Sequence, residues 1–318
     1  IPLQGSTQNV QTNAAGFYDF GDRNGNGTRD DAVSPAGLNL GNFNLFSDAD
    51  NSSPIRLDLN GGSLVSTNGS LTTLALRNTG NILIYNVGTV SLGDGIVSTR
   101  GTSTSYAGHK GSIEIGQAAN RAGSVQVAGL FTYAGQGNAG NVTIHGSGDV
   151  LIQTAAGIAT NIDVCGNNMV DALPGFVNIR HDGSFLARTV NAIATAGVNA
   201  PNLSWDGDAL ANGASGTFVI QEVDTHETAT SGGYVGNTAG VIVSNYLAAS
   251  LGNMDTHIQT GNVGNPAGSL IITNISGNVT ITGSINLNGQ VDGKDGNLTL
   301  QAGGWISVVD LDLASVGT

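Results

Sequence analysis

The sequence predicts an all-β chain, a parallel β-helix preceded by an irregular N-terminal segment, and three observations carry that expectation. One short phrase recurs: a glycine, a small or polar residue, and an alternating aliphatic strand. It reads GNILI from Gly80, GSIEI from Gly111, GSVQV from Gly123, GNVTI from Gly140, GDVLI from Gly148 and GFVNI from Gly175. It continues as GTFVI from Gly216, GVIV from Gly240, GSLII from Gly268, GNVTI from Gly277, GNLTL from Gly296 and GWISV from Gly304. The second observation is that several phrases are paired, 140 with 148, 175 with 183, 268 with 277 and 296 with 304, while the pairs recur about every 28 to 40 residues. A fixed return of this kind is the signature of a solenoid. The third is composition: 49 glycines, 6 prolines and 5% aromatics among 39% hydrophobic residues suit narrow layers of Val, Ile and Leu.

Each element follows from the alternation. In NVTI or NLTL the first and third aliphatics point one way and the Thr the other, so one face of each strand is buried. Short strands joined by glycine corners wind around an apolar interior, each coil pairing with the coils above and below. Gly and Asn at those corners are expected to take the left-handed conformation that a sharp turn needs. A β-sandwich or an up-and-down barrel also has short strands and turns, but neither predicts near-identical paired phrases. The longer intervals, 183 to 216 with NAPNLSWDGDALANGASG and 221 to 240 with EVDTHETATSGGYVGNTAG, read as loops thrown out from the coils. Residues 1–59 lack the paired strands and read as a cap or entry segment, with the β-helix spanning 60–318.

Charge and hydropathy exclude several classes. The 318 residues carry 10 Lys and Arg against 23 Asp and Glu, a net charge of -13, which repels phosphate backbones and anionic membranes. Nucleic acid is therefore not an expected partner. No stretch of about eighteen apolar residues is present, so no membrane-spanning helix is expected. Ile1 in place of Met fits a processed, exported product. The lone Cys165 leaves no internal disulfide framework and reads as a buried small hydrophobe or a reactive thiol.

The strand grammar, at its clearest in GNVTITGSINLNGQVDGKDGNLTLQAGGWISV (277–308), resembles the secreted haemagglutinin-type right-handed β-helices of bacterial surface proteins. The resemblance covers about residues 60–318 and implies an extracellular or cell-surface adhesive, matrix or filament protein. A second, local resemblance lies in DRNGNGTRDD, where Asp22, Asn24, Asn26, Gly27 and Asp30 take the first, third, fifth, sixth and ninth places of an EF-hand-like calcium loop of the dockerin-like sort. Oxygen ligands at alternate positions with a glycine between them are what calcium requires. Thr28 would offer its carbonyl. The twelfth place is Val33, leaving Asp31 or Asp19 to supply the missing carboxylate. The other reading is an Asx-rich turn capped by its own side chains. SDADNSS, with Asp48, Asp50 and Asn51, is a weaker second calcium candidate.

Catalytic signals are sparse. A polysaccharide lyase or hydrolase on this fold needs clustered carboxylates on neighbouring coils or a base near a calcium-bound uronate. The most chemically mixed stretch is Arg180–Arg188 around HDGSFLA, with His181 and Asp182, to which stacked coils would bring Asp149, Asp163 and Asp206. The histidines show no close metal spacing, with DTHE (Asp224, His226, Glu227) the nearest approach. The leading expectation is a non-enzymatic structural or adhesive subunit, calcium-stiffened near its start and stacked head to tail, with IPLQGSTQNVQT available to add a strand to a neighbour. The alternatives are a polysaccharide-degrading enzyme and a carbohydrate-binding adhesin using Tyr106, Tyr133, Trp205 and Tyr234 as platforms.

Overall fold

The computed structural model describes residues 9–12, 18–19, 37–42, 44–52, 54–59, 61–101, 110–134, 137–166, 172–195, 200–228, 238–258, 267–289 and 295–312, with backbone only at 9–12, 18–19, 48–50, 194–195 and 227–228. Among the described residues every regular element is a strand, and the strands stack in parallel as a β-solenoid of about eight turns. One face is a ten-stranded sheet that takes Tyr18–Asp19, Ile55–Asp58, Ile82–Tyr85, Ile113–Ile115, Val142–His145, Val177–Arg180, Leu203–Asp206, Val241–Ser244, Leu270–Ile275 and Leu298–Ala302 in order. Its register lines up one inward column, Leu57, Ile84, Ile115, Ile144, Ile179, Trp205, Val243 and Ile272. Every one of them is at most 1% exposed, so the alternating aliphatics of the repeated phrase form the core.

The rest of the coil changes cross-section along its length. In the first turns it carries two strands per turn on separate lines, for example Val125–Val127 and Leu130–Phe131. Phe185–Asn191 joins the two lines: Phe185 pairs with Val150 of one, and Val190 with Ile162 of the other. From there each turn has a single long strand, Thr217–Asp224, Ala248–Asp255, Val279–Asn286 and Ile306–Asp312. The aromatic residues concentrate at this junction. Phe185 and Phe218 stack at 5.2 Å, Trp205 lies 5.8 Å from Phe185 and 5.7 Å from Phe218, and Tyr246 lies 5.4 Å from Phe218. All four are buried, so large rings fill the interior where two strands merge into one and narrow aliphatic layers cannot.

The repeated glycines mark two corners, and their role differs from the expectation. Of the twelve that open the phrases, Gly216 alone has a positive φ. Most of the others stand where the turns approach too closely for a side chain. A Cβ on Gly111 would meet the carbonyl oxygen of Gly80 at 2.1 Å, one on Gly140 that of Gly111 at 2.0 Å, one on Gly175 that of Gly140 at 1.8 Å, and one on Gly296 that of Gly268 at 2.0 Å. The second corner repeats the contact, with Gly123 over Gly88 at 2.1 Å. The pairs 140 with 148 and 268 with 277 are thus two corners of one turn. Asn does take left-handed conformations, at Asn86, Asn245 and Asn274, but outside these columns.

Polar side chains complete the corners. Beside the first column runs a buried line of hydroxyls: Thr73 donates to Gly80 O (2.6 Å), Thr99 to Gly111 O, Thr132 to Gly140 O (2.5 Å), Thr225 to Ala239 O (2.8 Å) and Thr256 to Gly268 O (2.7 Å). Asn141 accepts the Phe176 N–H (3.1 Å) and Asn278 the Trp305 N–H (3.1 Å), so these two Asn-x-Ser/Thr sequons serve the stack. Lys110 is also buried here, its Nζ donating to Arg77 O (2.7 Å), and burial lowers its pKa.

Two expectations are corrected. The coil starts upstream of residue 60: Asn44–Asn51 pairs with Leu71–Asn78, Ile55–Asp58 with Ile82–Tyr85, and Asn9–Thr12 with Asn44–Ser47 in the same chain. The stretch NAPNLSWDGDALANGASG is not wholly a loop. Its LSWD is a rung of the ten-stranded face, hidden because Pro201 and Trp205 stand where most other turns have glycine and an aliphatic.

Replacing Gly175 with Ala is expected to cost about 3 kcal/mol, the upper range for overpacking, because backbone is what the methyl meets. Gly157→Ala, where φ is 78° and nothing lies within 4 Å, is expected to cost about 1 kcal/mol from strain alone. Urea midpoints of the two variants check the order. Thr256→Val, which leaves a buried carbonyl unpaired, is expected to cost about 1–3 kcal/mol by the same measurement.

Candidate functional site

The expected calcium ligands Asp22, Asn24, Asn26, Thr28, Asp30 and Asp31 lie outside the described residues. Asp48, Asp50 and Asn51 fall on the strand Asn44–Asn51, and Asn51 Oδ1 accepts the Asn78 side-chain amide at 2.8 Å. Among the described residues no group of three or more His, Cys, Asp and Glu is placed to hold a metal ion.

The mixed patch around Arg180 does form. Register places His145, Arg180, Asp206 and Ser244 in one outward row. Arg180 Nε donates to Asp206 Oδ2 (3.2 Å) and Asn245 Nδ2 to Asp206 Oδ1 (2.8 Å). Burial alone would raise the Asp206 pKa, but the Asn245 and Asp208 N–H donors and the Arg180 charge outweigh it and hold the carboxyl below its ordinary value. His145 is lowered by burial and then by the Arg121 and Arg180 charges. Arg121 Nη2 donates to Ala209 O (2.9 Å), Asp182 accepts the Leu210 N–H (3.2 Å), and Asp208 accepts the N–H groups of Asn212 (2.8 Å) and Gly213 (3.1 Å). These charges fasten residues 206–213 against the coil.

His181 is interior to that patch. It is wholly buried, with Nδ1 donating to Gly148 O (3.1 Å) and Tyr246 O–H donating to Nε2 (2.8 Å). This pairing is the neutral tautomer, in keeping with a pKa lowered by burial. Of the acids expected nearby, Asp149, Asp182 and Asp206 act on it electrostatically, whereas Asp163 sits on another face and accepts the Cys165 N–H (3.1 Å). Cys165 is buried, and burial, followed by Asp163, raises its thiol pKa well above the ordinary value, the inert form of this side chain. Trp205 is core, Tyr133 is half-buried, and Tyr106 and Tyr234 lie outside the described residues.

A second constellation was legible only by half. Asp-Thr-His occurs at 224–226 and again at 255–257, and the register Asp224↔Asp255 stacks the two copies. The His226 and His257 rings lie face to face with centroids 5.4 Å apart and planes 15° from parallel, and each Nδ1 bonds its own aspartate. The bond to Asp224 raises the His226 pKa against the opposing effect of burial, and the charges of Asp224 and Asp255 add to it. The intervening threonines are the corner hydroxyls already described.

The turn 298–312 differs from those before it. Ile306 stands in the column of Val279 and Leu311 in that of Ile285, yet each is 44% exposed, and Trp305 and Val309 are 55% and 71% exposed. Asp310 and Asp312 are exposed, as their alternation with leucine implies. No described helix is long and apolar enough to cross a membrane.

No protein-family model matches this chain, and neither does any curated protein or solved structure. The solenoid is thus established by its own register.

Because the folded His226 pKa lies above its ordinary value, its contribution to stability is full below about pH 6.5 and is lost as pH rises through the raised value. His226→Gln is expected to lower stability by about 1 kcal/mol at pH 6 and by less at pH 8.5. Urea titrations of both proteins at the two pH values check this sign.

Proposed function

We propose that this chain is a non-enzymatic structural or adhesive subunit of an extracellular assembly, in which copies stack end to end along the solenoid axis. The observation that supports the reading is the uniform parallel register of the coil, in which each described turn lays its strands on those of the turn before it. A coil edge in such a stack takes another parallel coil of the same column spacing, about 4.8 Å further along, and a second copy carries such coils. Contact between unlike ends leads to open filaments.

The strand grammar shared with haemagglutinin-type surface proteins supports an extracellular setting, and the oxygen-rich pattern Asp22–Asp31 supports calcium as the ion that stiffens the N-terminal segment and offsets a net charge of -13 per copy. Asn9–Thr12 pairs within its own chain, so strand donation would exchange this pairing between copies, as in a domain swap.

Electron microscopy and sedimentation velocity of the 318-residue chain, with calcium and with a chelator, test the proposal. Concentration-dependent filaments that shorten on chelation are expected, and Val309→Glu is expected to raise the assembly threshold at least tenfold. A monomer at every concentration, with or without calcium, overturns the reading.

A further inference from the structure

A small open pocket lies on the side of the coil. It has a volume of about 120 Å³ and is lined by Arg56, Leu83, Ile84, Tyr85, Glu114 and Gln117. These residues come from three successive turns of the ten-stranded face, with Arg56, Leu83 and Glu114 in register. Arg56 Nη2 donates to the Tyr85 hydroxyl (3.1 Å), and its guanidinium lies 5.7 Å from the centre of the ring, so the turn below holds Tyr85 in place. The turn above leaves a gap. Gly116 follows Ile115, the partner of Ile84, and its N–H donates to Ile84 O (2.7 Å). Its φ is 70°, and a Cβ there would meet His145 O at 2.2 Å, so the fold admits no side chain beside the ring at this step. The Glu114 carboxylate and the Gln117 side-chain amide complete the wall and have no hydrogen-bond or ion-pair partner among the described residues.

We propose that this pocket binds one neutral pyranose unit of a glycan, with the apolar C–H face of the ring against Tyr85 and its hydroxyls bonded to Glu114 and Gln117. The chemistry of the wall selects this class. An aromatic ring offers an apolar platform, a free carboxylate accepts two neighbouring hydroxyls, and an amide both donates and accepts. Arg56 and Glu114 offset each other in the wall, so the pocket offers no net positive charge to an anionic sugar, and the net charge of the chain disfavours one. The volume suits a single ring. This site does not depend on end-to-end stacking, and either proposal can fail alone.

Saturation-transfer difference NMR on the full chain tests the proposal, using the methyl glycosides of glucose, galactose, mannose and N-acetylglucosamine, with glucuronic acid as the anionic comparison. One ring binds weakly, so millimolar probe is used. Saturation of the ring protons of at least one neutral glycoside is expected, lost in Tyr85→Ala and about tenfold weaker in Glu114→Gln, the loss of one charge-assisted hydrogen bond. Where Tyr85→Ala alters the circular dichroism of the fold, Glu114→Gln and Gln117→Ala decide. No transfer to any neutral glycoside, transfer unchanged in the variants, or binding of glucuronic acid alone overturns the proposal.

Discussion

The structure depends on the contact between a backbone carbonyl of one turn and the α carbon of the glycine stacked on it. Gly80, Gly111, Gly140 and Gly175 form such a column, with no room for a methyl group between successive members. That approach brings the strands on either side of the corner into ladder distance and aligns Ile84, Ile115, Ile144 and Ile179 into one continuous apolar column. Tight corners also remove water from backbone groups, and the buried threonines answer that cost by donating to the corner carbonyls. Packing, backbone pairing and corner chemistry are therefore one constraint seen from three sides.

Where that constraint is relaxed, the interior is rebuilt. At Phe185–Asn191 two strand lines merge, and Phe185, Trp205, Phe218 and Tyr246 fill the wider section. His181 belongs to this packing. Its two ring nitrogens are both engaged, by Gly148 and Tyr246, so the most reactive-looking residue of the mixed patch serves the core. The charges outside it, Arg180 with Asp206 and Arg121 with Ala209, hold residues 206–213 to the coil.

The fold was legible because the period-2 alternation after each glycine is local in sequence. The reason for the glycines was not, since a clash between Gly175 and Gly140 depends on a register that no single repeat contains. For the same cause Gly80 to Gly296 were expected to serve left-handed turns, whereas the rung Leu203–Asp206 was hidden by Pro201 and Trp205 in its own phrase. The stacking of His226 on His257 was half visible as a repeated Asp-Thr-His. The pocket beside Tyr85 carries no signal in sequence, because Arg56, Tyr85, Glu114 and Gln117 come from three different turns. The candidate calcium loop rests on its residue pattern alone.

The outward rows are the parts of this molecule free to vary without disturbing the columns, and the pocket beside Tyr85 lies among them. The column itself is tested most directly by amide hydrogen exchange on Gly140→Ala, where a methyl would meet Gly111 O at 2.0 Å. The account predicts that protection falls in Ile113–Ile115 and Val142–His145 while strands several turns away, such as Val279–Asn286, keep theirs. Unchanged protection in the two strands flanking the substituted corner would contradict it.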